Sequence, residues 1–124
     1  MKRILVVDDY EDIHSIFSFI FQDDNVELGF LSDPAGLDEL LMEWNPDLLM
    51  LDVRLGSVDG RDICRLIKAD QRFVPLKVVL MSALSIDWKD DLSGADLMIC
   101  KPFDIFAVRR DVLYLIKTNG SLEK

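Results

Sequence analysis

Four short apolar runs constrain this chain most: "ILVV" at 4–7, "LLML" at 48–51, "VVLM" at 78–81 and "LMIC" at 97–100. None alternates with polar residues. Successive side chains of a strand point to opposite faces, so a strand with one wet face alternates and a strand covered on both faces does not. The runs therefore predict a parallel sheet with helices packed on both sides. A weaker strand, "VELGFL" at 26–31, lies between the first two. All are far shorter than the roughly 20 apolar residues that cross a bilayer.

Helical patterns fill the gaps. Ile13, Ile16, Phe17 and Ile20 keep i, i+3, i+4, i+7 spacing. "PAGLDELLMEW" at 34–44 is read as a helix capped by Asp33 and stopped by Asn45-Pro46. "GRDICRLIK" at 60–68 places Ile63, Leu66 and Ile67 on one side, with Asp59-Gly60 before it as a turn needing glycine's backbone freedom. The last helix covers about 104–118, with Ile105, Val108, Val112, Leu115 and Ile116 in one stripe. Strands alternating with helices predict an α/β doubly wound sandwich. With 124 residues and no linker or repeat, the chain reads as one domain over 1–119 followed by a loose tail at 120–124.

Charge narrows the function classes. Twenty-three acids against 14 bases leave a net charge of −9, which argues against direct nucleic-acid binding, since phosphate contacts need basic clusters. Cys64 and Cys100 lie outside any CxxC pattern and are expected to be reduced and buried. The opening "MKRILVVDDY" turns acidic after four apolar residues, unlike a secretory leader, so a cytoplasmic location without membrane insertion is expected.

In folds of this class ligands bind at the carboxyl ends of the strands. Asp8 and Asp9 follow the first run, Asp52 the second, Ser82 the third and Lys101 the fourth. Each alone has an ordinary reading: a loop acid, a solvated strand end, a helix cap, a surface charge. Together they put three acids, a hydroxyl and an amine at one edge. Crowded carboxylates resist ionising, and a hard divalent cation such as Mg²⁺ relieves that cost. A metal beside a carboxylate, with a lysine and a hydroxyl opposite, suits a transferring phosphoryl group. His14, one step off the first helix's apolar stripe, is not assigned a catalytic role.

These segments resemble the receiver domain of bacterial response regulators, a flavodoxin-like fold. "ILVVDDYEDI" is similar to the family's opening strand and acidic pair. "LLMLDVRLGSVDGRDICRLIK" resembles its phosphoacceptor segment, "VVLMSA" the strand ending in a hydroxyl residue, and "GADLMICKPF" the lysine-proline signature. The resemblance implies a five-stranded parallel sheet of order 2-1-3-4-5 flanked by five helices. It implies that Asp52 accepts a phosphoryl group from a sensor histidine kinase or a histidine phosphotransfer protein. It implies Mg²⁺ on Asp9, Asp52 and the backbone carbonyl of Arg54, with Asp8 acting through a bound water. Ser82 and Lys101 would bind the phosphoryl group, Lys101 pairing with Asp52 beforehand, and the bond to Pro102 would be cis.

The chain departs from the family pattern in places. Met98 stands where the family usually carries an aromatic switch residue. Gly56 replaces the usual loop proline, which suggests a more mobile loop. Only nineteen positions separate Ser82 from Lys101, so the fourth helix is expected to be short or distorted. On the last helix Phe106 and Leu113 fall off the stripe beside Arg110 and Lys117, an outward patch suited to a homodimer or partner contact. The resemblance implies a signalling module that turns over no external metabolite and undergoes only its own phosphorylation and dephosphorylation. The alternative is a phosphorylation-independent adaptor on the same fold. A small phosphatase fits poorly, because Arg54 stands where many of those enzymes carry a second acid.

Overall fold

The computed structural model of the chain describes residues 1–83 and 93–117. In chain order the elements are β1 (Lys2–Val7), α1 (Ile13–Ile20), β2 (Val26–Leu31), α2 (Leu37–Trp44), β3 (Leu48–Asp52), β4 (Arg54–Leu55), β5 (Val58–Asp59), α3 (Gly60–Lys68), a 3₁₀ turn (Gln71–Phe73), β6 (Lys77–Ser82), β7 (Leu97–Cys100) and α4 (Ile105–Lys117). The main sheet runs β2-β1-β3-β6-β7, all parallel. With the β4–β5 hairpin set aside, this is the expected order 2-1-3-4-5. The expected short helix before β7 falls largely at 84–92, and the expected tail at 120–124; both lie outside the described residues.

Period-two geometry divides the core. Ile4, Val6, Leu48, Met50, Val79, Met81 and Ile99 face one side, against Ile13 and Phe17 of α1 and Val108, Val112 and Leu115 of α4. Leu5, Val7, Leu49, Leu51, Val78 and Leu80 face the other, against Leu37 and Leu41 of α2 and Cys64 and Ile67 of α3. Both faces of β1, β3 and β6 are thus covered, which is why their runs lack polar alternation. Each fully buried aliphatic side chain contributes roughly 1.5–3 kcal/mol.

Several local expectations are corrected. Asp33 does not cap α2: its carboxylate accepts from the Ala35 N–H at 2.7 Å, and Gly36, at φ +77°, turns the chain so that the helix begins at Leu37. In α3 the inward residues are Cys64 and Ile67, while Leu66 is 73% exposed. Cys100 is exposed, because β7 is an edge strand. Leu113 packs partly against the core and is not an outward partner of Phe106, which is 79% exposed. Arg110 pairs with Asp111 at 3.0 Å, and Lys117 is exposed. Across the sheet's first edge His14 stacks on Phe30 with ring centroids 3.9 Å apart.

Asp104 starts α4, its carboxylate accepting from the N–H groups of Phe106 and Ala107 at 3.1 and 3.2 Å. Arg109 clamps the helix to the α1–β2 connection through two bonds to Asp24, at 2.6 and 2.9 Å.

Candidate functional site

Parallel pairing brings the carboxyl ends of β1, β3, β6 and β7 into register. Val7 lies beside Leu51, Asp52 beside Met81, and Ser82 beside Cys100. The residues that follow these strands therefore converge. Carboxylate oxygens of Asp8, Asp9 and Asp52 lie within 4.8 Å of one another, with Asp8 and Asp52 buried and Asp9 exposed. Lys101 enters from the opposite side.

Lys101 makes the expected contact to Asp52 and a shorter one to Asp8. Its Nζ is 2.8 Å from Asp8 Oδ2 and 3.3 Å from Asp52 Oδ2, so it bridges two acids and sits closer to Asp8. The backbone explains the reach: the Lys101 N–H donates to the Ser82 carbonyl at 2.9 Å, extending the β6–β7 pairing one step past the strand. The Lys101–Pro102 peptide bond is cis. Asp8 is further held by the Tyr10 N–H, which donates to its Oδ1 at 3.0 Å.

Electrostatics follow from this crowding. Burial, and next the charge of Asp8, push the Asp52 carboxyl up to about 6 from 3.8; Lys101 and the Arg54 N–H act the other way. Burial by itself would lower the Lys101 amine, but its hydrogen bond to Asp8 and the two carboxylate charges outweigh that and raise it. Near neutral pH the site holds an ionised Asp52 against a charged lysine. An all-oxygen donor set of this kind suits a hard cation such as Mg²⁺ and not a soft one.

Ser82 is buried at the end of β6. Met98, half-buried on β7, packs against the cluster under α2 and α3. The loop after Asp52 folds as a two-stranded hairpin, with Arg54 opposite Asp59, Leu55 opposite Val58 and Gly56 at φ +63°. Gly60 differs in its reason. A Cβ there would lie 2.1 Å from the Asp52 carbonyl oxygen, so glycine is required by close approach and not by a left-handed backbone. The Asp59 carboxylate caps α3 by accepting from the Arg61 N–H at 2.9 Å, and the Arg61 side chain holds that carboxyl below its usual range. Sequence reasoning missed the hairpin; its signal was Gly56-Ser57 flanked by Leu55 and Val58.

Comparison with known proteins agrees with this geometry. Residues 4–112 match the family model described as the response regulator receiver domain. The DNA-binding dual master transcriptional regulator RpaA of Synechocystis is 32% identical over 126 residues, covering 98% of this chain and 52% of that protein. The DNA-binding response regulator MtrA of Mycobacterium leprae is 32% identical over 103 residues, covering 82% of this chain and 45% of its own length. The chain thus spans about half the length of these curated relatives. The Thermotoga maritima response regulator TrrA, solved in complex with Mg²⁺-BeF, superposes with a TM-score of 0.80 at 27% identity, covering 93% of this chain and 99% of that one. Among the described residues no helix is long and apolar enough to cross a membrane.

Proposed function

Because the chain belongs to the response regulator receiver domain family, we propose that Asp52 is its phosphoacceptor and that Mg²⁺ occupies the acid cluster. The observation that carries this is the convergence of Asp8, Asp9 and Asp52 within 4.8 Å opposite a lysine that contacts two of them. The reading takes an Asp52 carboxylate oxygen as nucleophile toward phosphorus. The bond from phosphorus to the donor's imidazole nitrogen breaks, the imidazole leaves with that electron pair and takes up a proton, and an acyl phosphate remains.

Asp9, Asp52 and the Arg54 carbonyl would hold the metal, with Asp8 acting through a bound water. Bound Mg²⁺ supplies charge neutralisation for the transferring group's oxygens. Lys101 supplies the same from the opposite side, exchanging its carboxylate contacts for a phosphoryl oxygen, and the Ser82 hydroxyl donates to another. An Asp52 pKa of about 6 leaves the nucleophile mostly ionised at pH 7.

The partners on this reading are a sensor histidine kinase or a histidine phosphotransfer protein, met in the cytoplasm, with no external metabolite turned over. The domain itself makes no nucleic-acid contact, in keeping with its charge of −9. Exposed Phe106, with Arg110 and Lys117, is the face offered to a partner or a second copy.

Incubation with a small phosphodonor and Mg²⁺ tests the reading. One phosphoryl mass should appear on the wild type and none on Asp52→Asn. Absence of that mass gain from both would favour the adaptor alternative, to which the half-buried, non-aromatic Met98 lends support.

A further inference from the structure

Between the first turn of α2 and the second half of α3 the surface dips into a groove of about 410 Å³. Leu37, Ile63, Leu66, Ile67 and Phe73 give it an apolar lining. The sequence of α3 explains one wall. Ile63, Leu66 and Ile67 keep i, i+3, i+4 spacing, a stripe wider than the sheet covers. Ile67 is buried, Ile63 half-buried and Leu66 exposed. The loop entering α2 forms an open end: a Cβ on Gly36 would meet nothing within 4 Å. None of these residues belongs to the acid cluster, so the groove stands apart from the phosphoacceptor reading.

Charge says what fits there. Asp38, Glu39 and Asp70 stand on the rim, and no lysine or arginine lines the groove. Arg72 lies nearby and is already engaged. Its side chain meets the Asp70 carboxylate at 2.6 Å, reaches Asp38 at 3.6 Å and lies over the Phe73 ring at 4.9 Å. Three acids against one arginine leave two negative charges beside an apolar floor. Asp38 and Glu39 are exposed, so a small cation would gain little from them. An occupant must combine apolar contact with positive charge. A second copy suits this poorly: near its exposed Phe106, Arg109 and Arg110 are paired with Asp24 and Asp111, and two chains of charge −9 repel.

We propose that the α2–α3 groove docks an amphipathic helix of a protein partner, its apolar side chains seated against Leu37 and Leu66 and its flanking lysines or arginines facing Asp38 and Glu39. Apolar anchors three and four residues apart on one helix face match such a trough.

Amide chemical shifts followed by NMR test this with two synthetic helical peptides of about 14 residues, roughly four turns. Both carry the same leucine stripe; one is flanked by lysines, the other by glutamates. The lysine peptide should bind and shift the amides of Leu37, Ile63 and Leu66. Leu66→Gln should weaken it about tenfold. Asp38→Lys with Glu39→Lys should weaken it about tenfold and transfer the preference to the glutamate peptide. All three side chains are exposed, and urea midpoints matching the wild type verify the fold. Phe19→Ala, at an exposed aromatic on α1, should leave binding unchanged. Equal affinity for the two peptides, shifts that map away from the groove, or no binding overturns the proposal. So does a wild-type dimer in sedimentation that Leu66→Gln dissolves, which would make a second copy the occupant.

Discussion

β3 ends in a residue of the site and β7 leads directly into one, and the two strands are held very differently. β3 is buried at all five positions and pairs on both sides, with β1 and β6. Asp52 at its end is further fixed by Gly60 lying against its carbonyl. β7 is an edge strand paired with β6 alone, and only Ile99 of its four residues is buried. Lys101 beyond it is placed by one backbone bond and by contacts to two carboxylates. Asp52 is anchored by packing, whereas Lys101 is anchored by electrostatics. On the proposed phosphoacceptor reading, an added phosphoryl group changes charge and not core volume, so any rearrangement should fall on the β7 side.

A matched pair of methionines tests this contrast most strongly. Met50 lies fully buried in β3, and Met98 lies half-buried in β7. Met50→Ala should cost about 3 kcal/mol in urea unfolding and Met98→Ala about 1. Equal costs would mean that β7 is as firmly packed as β3.

Lys101→Met comes next. It leaves Asp8 and Asp52 buried without their cation and should destabilise the metal-free protein by about 2 kcal/mol at pH 8. Mg²⁺ should restore most of that loss, because it replaces the missing charge. A loss that Mg²⁺ leaves untouched would show that Lys101 acts through packing.

Smaller still is the effect of Asp52 on the pH dependence of stability. A carboxyl whose pKa is higher in the fold than in the unfolded chain favours the fold below its ordinary value and loses that contribution as pH rises through the folded value. For Asp52 the window runs from 3.8 to about 6. Asp52→Asn should therefore gain on the wild type as pH climbs through that window, by about 1–2 kcal/mol at pH 8 in EDTA. Urea melts at pH 4.5 and 8 check this, and an advantage that does not grow with pH would contradict the crowding described.

The least effect is expected at Phe106. Because it is 79% exposed, Phe106→Ala should change stability by less than about 0.5 kcal/mol. Its effect should appear in partner binding or self-association measured by ultracentrifugation, and a large loss of stability would place the ring in the core.

Elements whose cause is local were legible in the chain. "VELGFL" is β2 to the residue, and "LLML" with Asp52 is β3, because a covered strand needs only an unbroken apolar run. The convergence of Asp8, Asp9, Ser82 and Lys101 with Asp52 was legible because strand ends of a parallel sheet share one edge. Positions that depend on which neighbour arrives were read less well. Leu66 fits the apolar spacing of α3 but stays 73% exposed at the rim of a groove shared with α2, and Leu113 reaches the core from off its stripe. Periodicity marks a face; it does not say how wide the covering surface is.

By itself the sequence determined the covered strands, the class of fold and the set of groups gathered at one edge, since apolar runs and strand-end residues follow from backbone periodicity. Only the tertiary structure decided how those groups pair. Lys101 lies 93 positions from Asp8, and its preference for that acid over Asp52 depends on a difference of half an ångström. The phase of the hairpin, likewise, came from one bond between Gly60 and Val53. Distances of that size arise when the sheet closes and α3 settles on β3, and no spacing along the chain encodes them.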